Sequence, residues 1–224
     1  MKLSVPVRIG FESVRANAVP MVVLWTMAAL MVTAYYWIPS AQVVFEPIRN
    51  WQITGGWMAS FATCAFFCGF LPGVFLLTMK DLRVPHPYAT LAVQMAWSGV
   101  CGVVSQGVYA LNEHWFGAGT DFLTMTYKTA VFQFVSVPLF YGPVGALVYF
   151  WIGRDFSLRR CRAEWSDGFW WETLVPNLLT NWAVWLPCSY IVFLFPTVLQ
   201  VQLTGLVNSF YGLLLIWIGR GRRG

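Results

Sequence analysis

The spacing of charged residues constrains this chain more than any other feature of its sequence. No Asp, Glu, Lys or Arg lies between residues 15 and 46, 49 and 80, 83 and 113, or 128 and 154, and the longest gap, from Glu172 to Arg220, holds 47 residues. A membrane helix needs roughly 20 mainly apolar residues to cross about 30 Å of hydrocarbon. Each of the first four gaps therefore has room for one crossing, and the fifth has room for two.

Composition supports the same class of protein. Hydrophobic residues make up 58% of the chain and charged residues only 10%, whereas a soluble domain carries about 25% charged residues. A globule with so few charges has too little polar surface to face water. The sequence therefore predicts an all-α, polytopic membrane helix bundle that forms a single membrane domain over residues 1–224.

About six transmembrane helices are predicted. Pro187 and Pro196 divide the longest charge-free gap, because a helix is easily bent or ended at proline. The last two spans are then joined by a very tight turn at Phe195-Pro196-Thr197. The predicted spans are about 19–38, 53–79, 88–111, 124–152, 173–195 and 197–218.

The basic residues predict how the bundle is oriented. Six spans place the N-terminus, the second and fourth loops and the C-terminus on one side, and that side carries 12 of the 14 lysines and arginines. Only Arg49 and Lys128 fall on the other side, as the positive-inside rule requires of short loops. Both termini are therefore expected on the same side. The residues of the basic side are Lys2, Arg8, Arg15, Lys80, Arg83, Arg154, Arg159, Arg160, Arg162, Arg220, Arg222 and Arg223.

Membrane lipids are the partners that the net charge of +5 indicates, since short basic loops attract anionic headgroups. No nucleic-acid partner is expected, because the arginines are split among separate segments and not gathered on one folded face. Segment 156–172 combines arginines with aromatic rings and is predicted to lie along the membrane surface. Its candidate lipid contacts are Arg159, Arg160, Arg162, Trp165, Trp170 and Trp171.

Uncharged polar residues recur inside the predicted spans, where polar groups are costly. They either line a hydrated path for small polar solutes or form hydrogen bonds between helices, and the sequence leaves both interpretations open. Lys128 either selects anions at a pore mouth or extends its ammonium to the headgroups. The candidate residues are Gln94, Ser98, Gln106, Lys128, Gln133, Asn177, Asn181 and Asn208.

Small residues and prolines predict how the helices pack and bend. Gly69 and Gly73 in the second span, with Gly102 in the third, recur at intervals that let helix backbones approach closely. Pro72, Pro138 and Pro143 are expected to bend their helices. Each bend frees carbonyl groups, and in a membrane those carbonyls need a partner from water or another helix.

No enzyme is predicted, because the spans lack paired carboxylates, a zinc motif, a nucleophile with its base and a phosphate-binding glycine loop. Catalytic residues, metal ligands and cofactors are accordingly expected to be absent. Cys64 and Cys68 share a helix face without a histidine or carboxylate, so they are interpreted as small packing residues and not as metal ligands.

From about residue 115 to 217 the chain resembles the family of small mitochondrial inner-membrane and peroxisomal membrane proteins typified by Mpv-seventeen. The resemblance lies in Lys128-Thr-Ala-Val-Phe-Gln133 with Pro138, in Thr180-Asn181-Trp182-Ala-Val-Trp185-Leu-Pro187, in 193–196 and in Asn208-Ser209. Phe132 stands where the family has Asp, Leu186 separates Trp185 from Pro187, and Ser189 and Val192 replace the family's Gln and Asn. The family is usually drawn with four spans. The resemblance implies a cofactor-free membrane protein with weakly selective channel activity, and matches Gln133, Asn181, Trp182 and Trp185 to its pattern.

The function expected from these features is that of a passive small-solute channel or channel-like membrane protein. The alternative is a structural or assembly subunit of a larger membrane complex, with other subunits or further copies of the chain as partners. The resemblance favours the mitochondrial inner membrane, and a bacterial inner membrane is the alternative location.

Overall fold

The computed structural model is a helix bundle, and it describes residues 5–78 and 86–221, with 214–221 as backbone alone. All regular elements of these residues are helices, as predicted. A π-helical turn, Trp170–Leu174, leads into the seventh helix. The helices are α1 (Val5–Ala16), α2 (Ala18–Trp37), α3 (Pro39–Thr78), α4 (Pro87–Phe116), α5 (Phe122–Ile152), α6 (Leu158–Ala163), α7 (Val175–Phe193) and α8 (Thr197–Gly221).

Four of the described helices, α2 to α5, are long and apolar enough to cross a membrane, with 20, 40, 30 and 31 residues. These helices fit an integral membrane protein. The regions of the fifth and sixth predicted spans form two separate helices, α7 with 19 residues and α8 with 25. Their crossing of the membrane stays a prediction. Lys2, Met79, Lys80, Arg83, Arg222 and Arg223, which belong to the predicted span ends and basic side, lie outside the described residues.

Helix α3 is broken at Gly56, whose backbone has φ 49° and ψ −126°. Residues 39–52, which were predicted to lie outside the spans, are helical and form an arm before this break. Phe45 and Ile48 of the arm pack against the bundle core, while Val43 and Val44 are exposed. The second predicted span, 53–79, therefore corresponds to the part of α3 that follows Gly56.

Replacing Gly56 with alanine is expected to destabilise the protein by about 1–3 kcal/mol, because only glycine adopts this backbone conformation without strain. Thermal unfolding of the purified protein in detergent measures the effect. Gly205→Ala in α8 is the matched control: it is helical, and an added Cβ would lie 3.5 Å from its nearest neighbour, Thr63 Cγ2. An equal melting temperature for Gly56→Ala and wild type would contradict the strained break.

Pro72 of α3 and Pro138 and Pro143 of α5 lie in or beside wider, π-helical segments. These are Ala65–Phe70, which ends just before Pro72, and Phe132–Tyr141, which contains Pro138. Pro138 has no N–H, so the carbonyl of Gln133, five residues earlier, loses its partner in the π-helical register. The indole Nε1 of Trp182 in α7 donates to that carbonyl at 2.8 Å. The predicted need for an interhelical partner is confirmed at this proline.

Glycines bring α3 and α4 into close contact, as predicted. A Cβ built on Gly69 would lie 2.6 Å from Met95 Cα, and one built on Gly102 would lie 2.4 Å from the carbonyl oxygen of Ser60. Helix α1 packs along α7 in a similar way, since a Cβ on Gly10 would lie 2.7 Å from Leu179 Cδ1. The helices thus surround an interior between α3, α4, α5, α7 and α8.

Candidate functional site

A cavity of about 900 Å³, here called the outer cavity, lies between α4, the second half of α5 and α7. It extends to the connection between α5 and α7, where Arg154, Glu164 and Glu172 line it. Arg154 pairs with Glu164 at 3.0 Å and lies 4.0 Å from the centre of the Phe150 ring. The charged groups of the outer cavity are therefore gathered at the end nearest this connection.

A second cavity of about 340 Å³, here called the inner chamber, lies between α3, α4, α5, α7 and α8. Trp97 and Tyr149 belong to the walls of both cavities, which are therefore adjacent. No Asp, Glu, Lys or Arg lines the inner chamber among the residues that the structure describes. Its walls are formed by Cys64, Cys68, Trp97, Ser98, Cys101, Ser105, Phe132, Gln133, Val137, Tyr141, Tyr149, Asn181, Trp185, Thr204 and Asn208.

Gln133 is the most completely buried polar residue of the inner chamber, with 0% exposure. Its Nε2 donates to Ser189 Oγ at 2.7 Å and to the carbonyl oxygen of Trp185 at 3.4 Å. Its Oε1 is buried, and no donor of the described residues reaches it. Asn181 Oδ1, from the neighbouring helix α7, is buried and unpartnered as well. The chamber wall therefore includes two residues, Gln133 and Asn181, whose buried amide oxygens have no hydrogen-bond donor among the described residues.

Hydroxyl groups and aromatic rings also belong to the chamber wall or pack against its residues. Ser105 Oγ and Tyr141 Oη are 2.8 Å apart. Phe132 stacks on Tyr109 with ring centres 5.3 Å apart, and both rings contact Phe193 edge-on, at 6.4 Å and 5.5 Å. These three packed rings are here called the aromatic plug (Tyr109, Phe132 and Phe193), and one of them, Phe132, belongs to the chamber wall.

The structure brings five of the predicted polar residues to these cavities and leaves three elsewhere. Gln94 lies where α4 packs on Gly73 of α3, since its Oε1 would be 3.3 Å from a Cβ built there. Gln106 is outside both linings, and its Oε1 is buried without a partner. Lys128 is the third. Ser98, Gln133, Asn181 and Asn208 line the inner chamber, and Asn177 and Asn181 line the outer cavity.

Trp97 of α4 was not identified from the sequence, and its indole lines both cavities. Adjacent helix positions differ by about 100°, so a long side chain beside Ser98 can reach the same space.

Lys128 lies away from both cavities and is only 3% exposed. Its Nζ donates to the carbonyl oxygen of Gly119 at a long 3.4 Å, and no carboxylate of the described residues lies within ion-pair distance. Both predicted roles, anion selection at a pore mouth and extension of the ammonium to the headgroups, stay predictions.

Replacing Lys128 with methionine is expected to leave stability unchanged or to raise it by up to about 1 kcal/mol. A buried ammonium without a carboxylate partner gives little net stabilisation, and methionine keeps most of the packing of its aliphatic chain. Thermal unfolding in detergent measures the change. Arg8→Met is the control for losing one positive charge, because Arg8 is exposed on α1, where it pairs with Glu12 at the surface. A marked loss of stability in Lys128→Met alone would show that the ammonium has a partner of its own.

The cysteines and tryptophans of the site were not identified as lining residues from the sequence. Cys64, Cys68 and Cys101 line the inner chamber together with Trp185. Cys64 also packs on Gly102, which agrees with its interpretation as a small packing residue. The four-residue spacing of Cys64 and Cys68 was the available signal, because it put both thiols on one face of α3.

The predicted surface segment lies between α5 and α7 and includes α6. Arg159, Arg162 and Trp171 are exposed, and Arg160 forms an ion pair with Asp155. Trp165 and Trp170 are 43% and 40% exposed, because their rings pack on each other and on buried Phe169.

Comparison of the chain with protein-family models, with curated proteins and with solved structures finds no match.

Proposed function

We propose that this protein is a passive channel for small polar solutes, and that the outer cavity and inner chamber form its pathway. The observation that carries the proposal is the pair of adjoining cavities, about 900 and 340 Å³, inside a bundle of membrane-length helices. Polar groups placed inside a membrane protein at energetic cost typically line a solute or ion path. The channel activity implied by the resemblance of residues 115–217 to the Mpv-seventeen family supports the same function.

The proposed topology has six spans, with both termini on the basic side. The basic connection between α5 and α7 then lies on that side, and the outer cavity opens there. Epitope tags at the two termini test this arrangement in sealed vesicles. Accessibility of the two tags from opposite faces would contradict it.

The aromatic plug accounts for how such a channel stays closed. Phe132 and Phe193 are 8% and 2% exposed, and Tyr109 is 3% exposed. Tyr109 is further held by a hydrogen bond of 2.9 Å between its hydroxyl and Thr204 Oγ1. In the proposed mechanism, conduction requires these rings to move apart.

Solute flux into liposomes that contain the purified protein tests the proposed function. Swelling assays with glycerol and urea, and fluorescent-dye assays for chloride, compare loaded vesicles with protein-free vesicles. The blocking variant is Gly145→Phe, because Gly145 lines the outer cavity beside the Trp97 ring. Its matched control is Leu139→Phe in the same helix, at a position 75% exposed on the outside of the bundle.

We expect flux of uncharged solutes with wild type and with Leu139→Phe, and flux equal to that of protein-free vesicles with Gly145→Phe. Melting temperatures of both variants confirm that they are folded. Absence of any flux above protein-free vesicles in wild type would reject the channel function. Equal flux through Gly145→Phe and wild type would reject the cavities as its pathway.

A further inference from the structure

We infer that the inner chamber is a recognition site for uncharged solutes that carry N–H or O–H donors, with Gln133 Oε1 as the main acceptor. The chemical class is that of small primary amides and polyols. This inference deepens the proposed function, since it assigns the solute class of the proposed pathway. Its test does not depend on transport, however, because ligand entry into the chamber can be measured directly.

The orientation of the Gln133 amide is determined by its neighbours. The carbonyl oxygen of Trp185 can only accept a hydrogen bond, so the amide group of Gln133 that lies 3.4 Å from it must be the NH₂. The same NH₂ donates to Ser189 Oγ at 2.7 Å. Oε1 is therefore the atom left without a donor. A buried acceptor of this kind gains most from a ligand that brings its own donor.

A second acceptor lies on the neighbouring helix, α7. Asn181 Oδ1 is also buried without a donor, and Asn181 belongs to the walls of both cavities. The hydroxyls of Ser105 and Thr204 are already paired with Tyr141 and Tyr109. The buried acceptors of the chamber wall that lack a donor are therefore the two amide oxygens, which attract donors and not acceptors.

Anions are disfavoured in the same chamber. No lysine or arginine lines it among residues 5–78 and 86–213, and aromatic and thiol side chains form much of its wall. An anion there would lose its hydration without gaining a cation, which is energetically costly. It would also face two carbonyl-type oxygens. The chamber thus discriminates by charge as well as by hydrogen-bond donors.

The native cysteines provide the reporters for a test. Cys68 and Cys101 line the chamber and are half-buried. Cys161 in the surface segment is the reference, because it lies outside the chamber. Cys188 has 0% exposure, so its alkylation rate reports how fast a reagent enters the helix bundle in general. The full-length protein in lipid vesicles is treated with iodoacetamide, N,N-dimethyl-2-iodoacetamide or iodoacetate. Peptide mass spectrometry gives the alkylation rate at each cysteine relative to Cys161.

These three reagents distinguish the effect of N–H donors from the effect of charge. Iodoacetamide is neutral with N–H donors, its dimethyl analogue is neutral without them, and iodoacetate is an anion. We expect iodoacetamide to modify Cys68 and Cys101 about five- to tenfold faster than the dimethyl analogue relative to Cys161, the factor that corresponds to roughly one hydrogen bond. Iodoacetate should modify them least. Cys188 should react more slowly than both chamber cysteines with every reagent.

Two variants distinguish hydrogen bonding by the chamber from an effect of reagent size. Gln133→Met removes the main acceptor. Asn181→Leu removes the second acceptor, and the Asn181 side chain makes no hydrogen bond within the described part of the structure that this change would break. In either variant the preference for iodoacetamide over its dimethyl analogue should shrink at Cys68 and Cys101, whereas a pure size effect would leave it unchanged. Melting temperatures show whether Gln133→Met folds, and Asn181→Leu provides the answer if it does not.

Equal rates for iodoacetamide and its dimethyl analogue in wild type would overturn the inference, as would a preference that persists in Asn181→Leu and in a folded Gln133→Met. Faster reaction with iodoacetate than with iodoacetamide would also overturn it. Donor-selective alkylation without any liposome flux would mean that the chamber recognises such solutes but that the protein is not a channel. Flux without donor-selective alkylation would mean that the protein is a channel but that the chamber does not recognise such solutes.

Discussion

The Gly102→Ala variant is expected to lose about 2–4 kcal/mol of stability, because the added methyl group has no room between α3 and α4. A Cβ at this position would lie 2.4 Å from the carbonyl oxygen of Ser60 and 2.7 Å from Cys64 Cβ. Backbone atoms cannot yield as a flexible side chain can, so α3 and α4 must separate. Overpacking of this kind typically costs 1–3 kcal/mol and more when the backbone has to move.

Gly107→Ala is the matched control for Gly102→Ala. Both glycines belong to α4 and face α3, but a Cβ on Gly107 would lie 3.4 Å from the Trp57 ring, an ordinary contact. Alanine also favours the helix by about 0.5–1 kcal/mol relative to glycine. Thermal unfolding in detergent should therefore show a lower melting temperature for Gly102→Ala and an equal or higher one for Gly107→Ala. A similar response of the two variants would disprove close backbone contact at Gly102.

The Trp182→Phe variant is expected to lose about 1–3 kcal/mol, the usual cost of leaving a buried acceptor without its partner. The indole Nε1 is the donor to the Gln133 carbonyl that Pro138 frees. Phenylalanine keeps a ring against Phe134, whose centre lies 5.2 Å from that of Trp182. The loss should therefore report the hydrogen bond more than the packing.

A double-mutant cycle with Pro138→Ala tests this assignment. Alanine restores a backbone N–H that can pair within α5, so the Gln133 carbonyl no longer depends on α7. Trp182→Phe should then cost about 1 kcal/mol less in the Pro138→Ala background than in wild type. Strictly additive melting data for the two substitutions would show that the proline and the indole are not coupled.

Flux measurements on the same variants test whether the hydrogen bond from Trp182 also affects the proposed pathway. Gln133 is held by Trp182 through its carbonyl and by Ser189 through its side chain. If the inner chamber is the pathway, Trp182→Phe should alter solute flux even though Trp182 does not line the chamber. Leu139→Phe, on the exposed side of the same helix as Gln133, should not alter it.

Much of the fold could be predicted from local features of the sequence. The charge-free gaps predicted helices of membrane length, since the apolar surface of a segment and its length decide whether it fits hydrocarbon. Pro138 predicted a freed carbonyl, because a missing N–H is a property of the residue itself. Gly69 and Gly102 predicted close helix contacts for a similar reason: the missing side chain is what permits them.

The candidate site was only partly predictable. Gln133, Asn181 and Asn208 were recognised as polar groups in apolar surroundings, but α5, α7 and α8 bring them to one chamber from positions far apart in the chain. The sequence predicted that Lys128 lies at a pore mouth or extends its ammonium to the lipid headgroups. Its buried position beside Gly119 was not predicted. The break at Gly56 was not predicted either, since the adjacent pair Gly55-Gly56 is compatible with a straight helix.

Local chemistry therefore determined which segments of this protein become membrane-type helices and where their backbones need outside partners. The tertiary structure decided which faces meet, which carbonyl Trp182 satisfies and which polar groups share a cavity. The physical reason is that solvation by hydrocarbon acts on each segment separately. The rotation and crossing of a helix, by contrast, depend on contacts with several others at once, as at Gly102, where the backbone of α3 fills the space that a side chain would take.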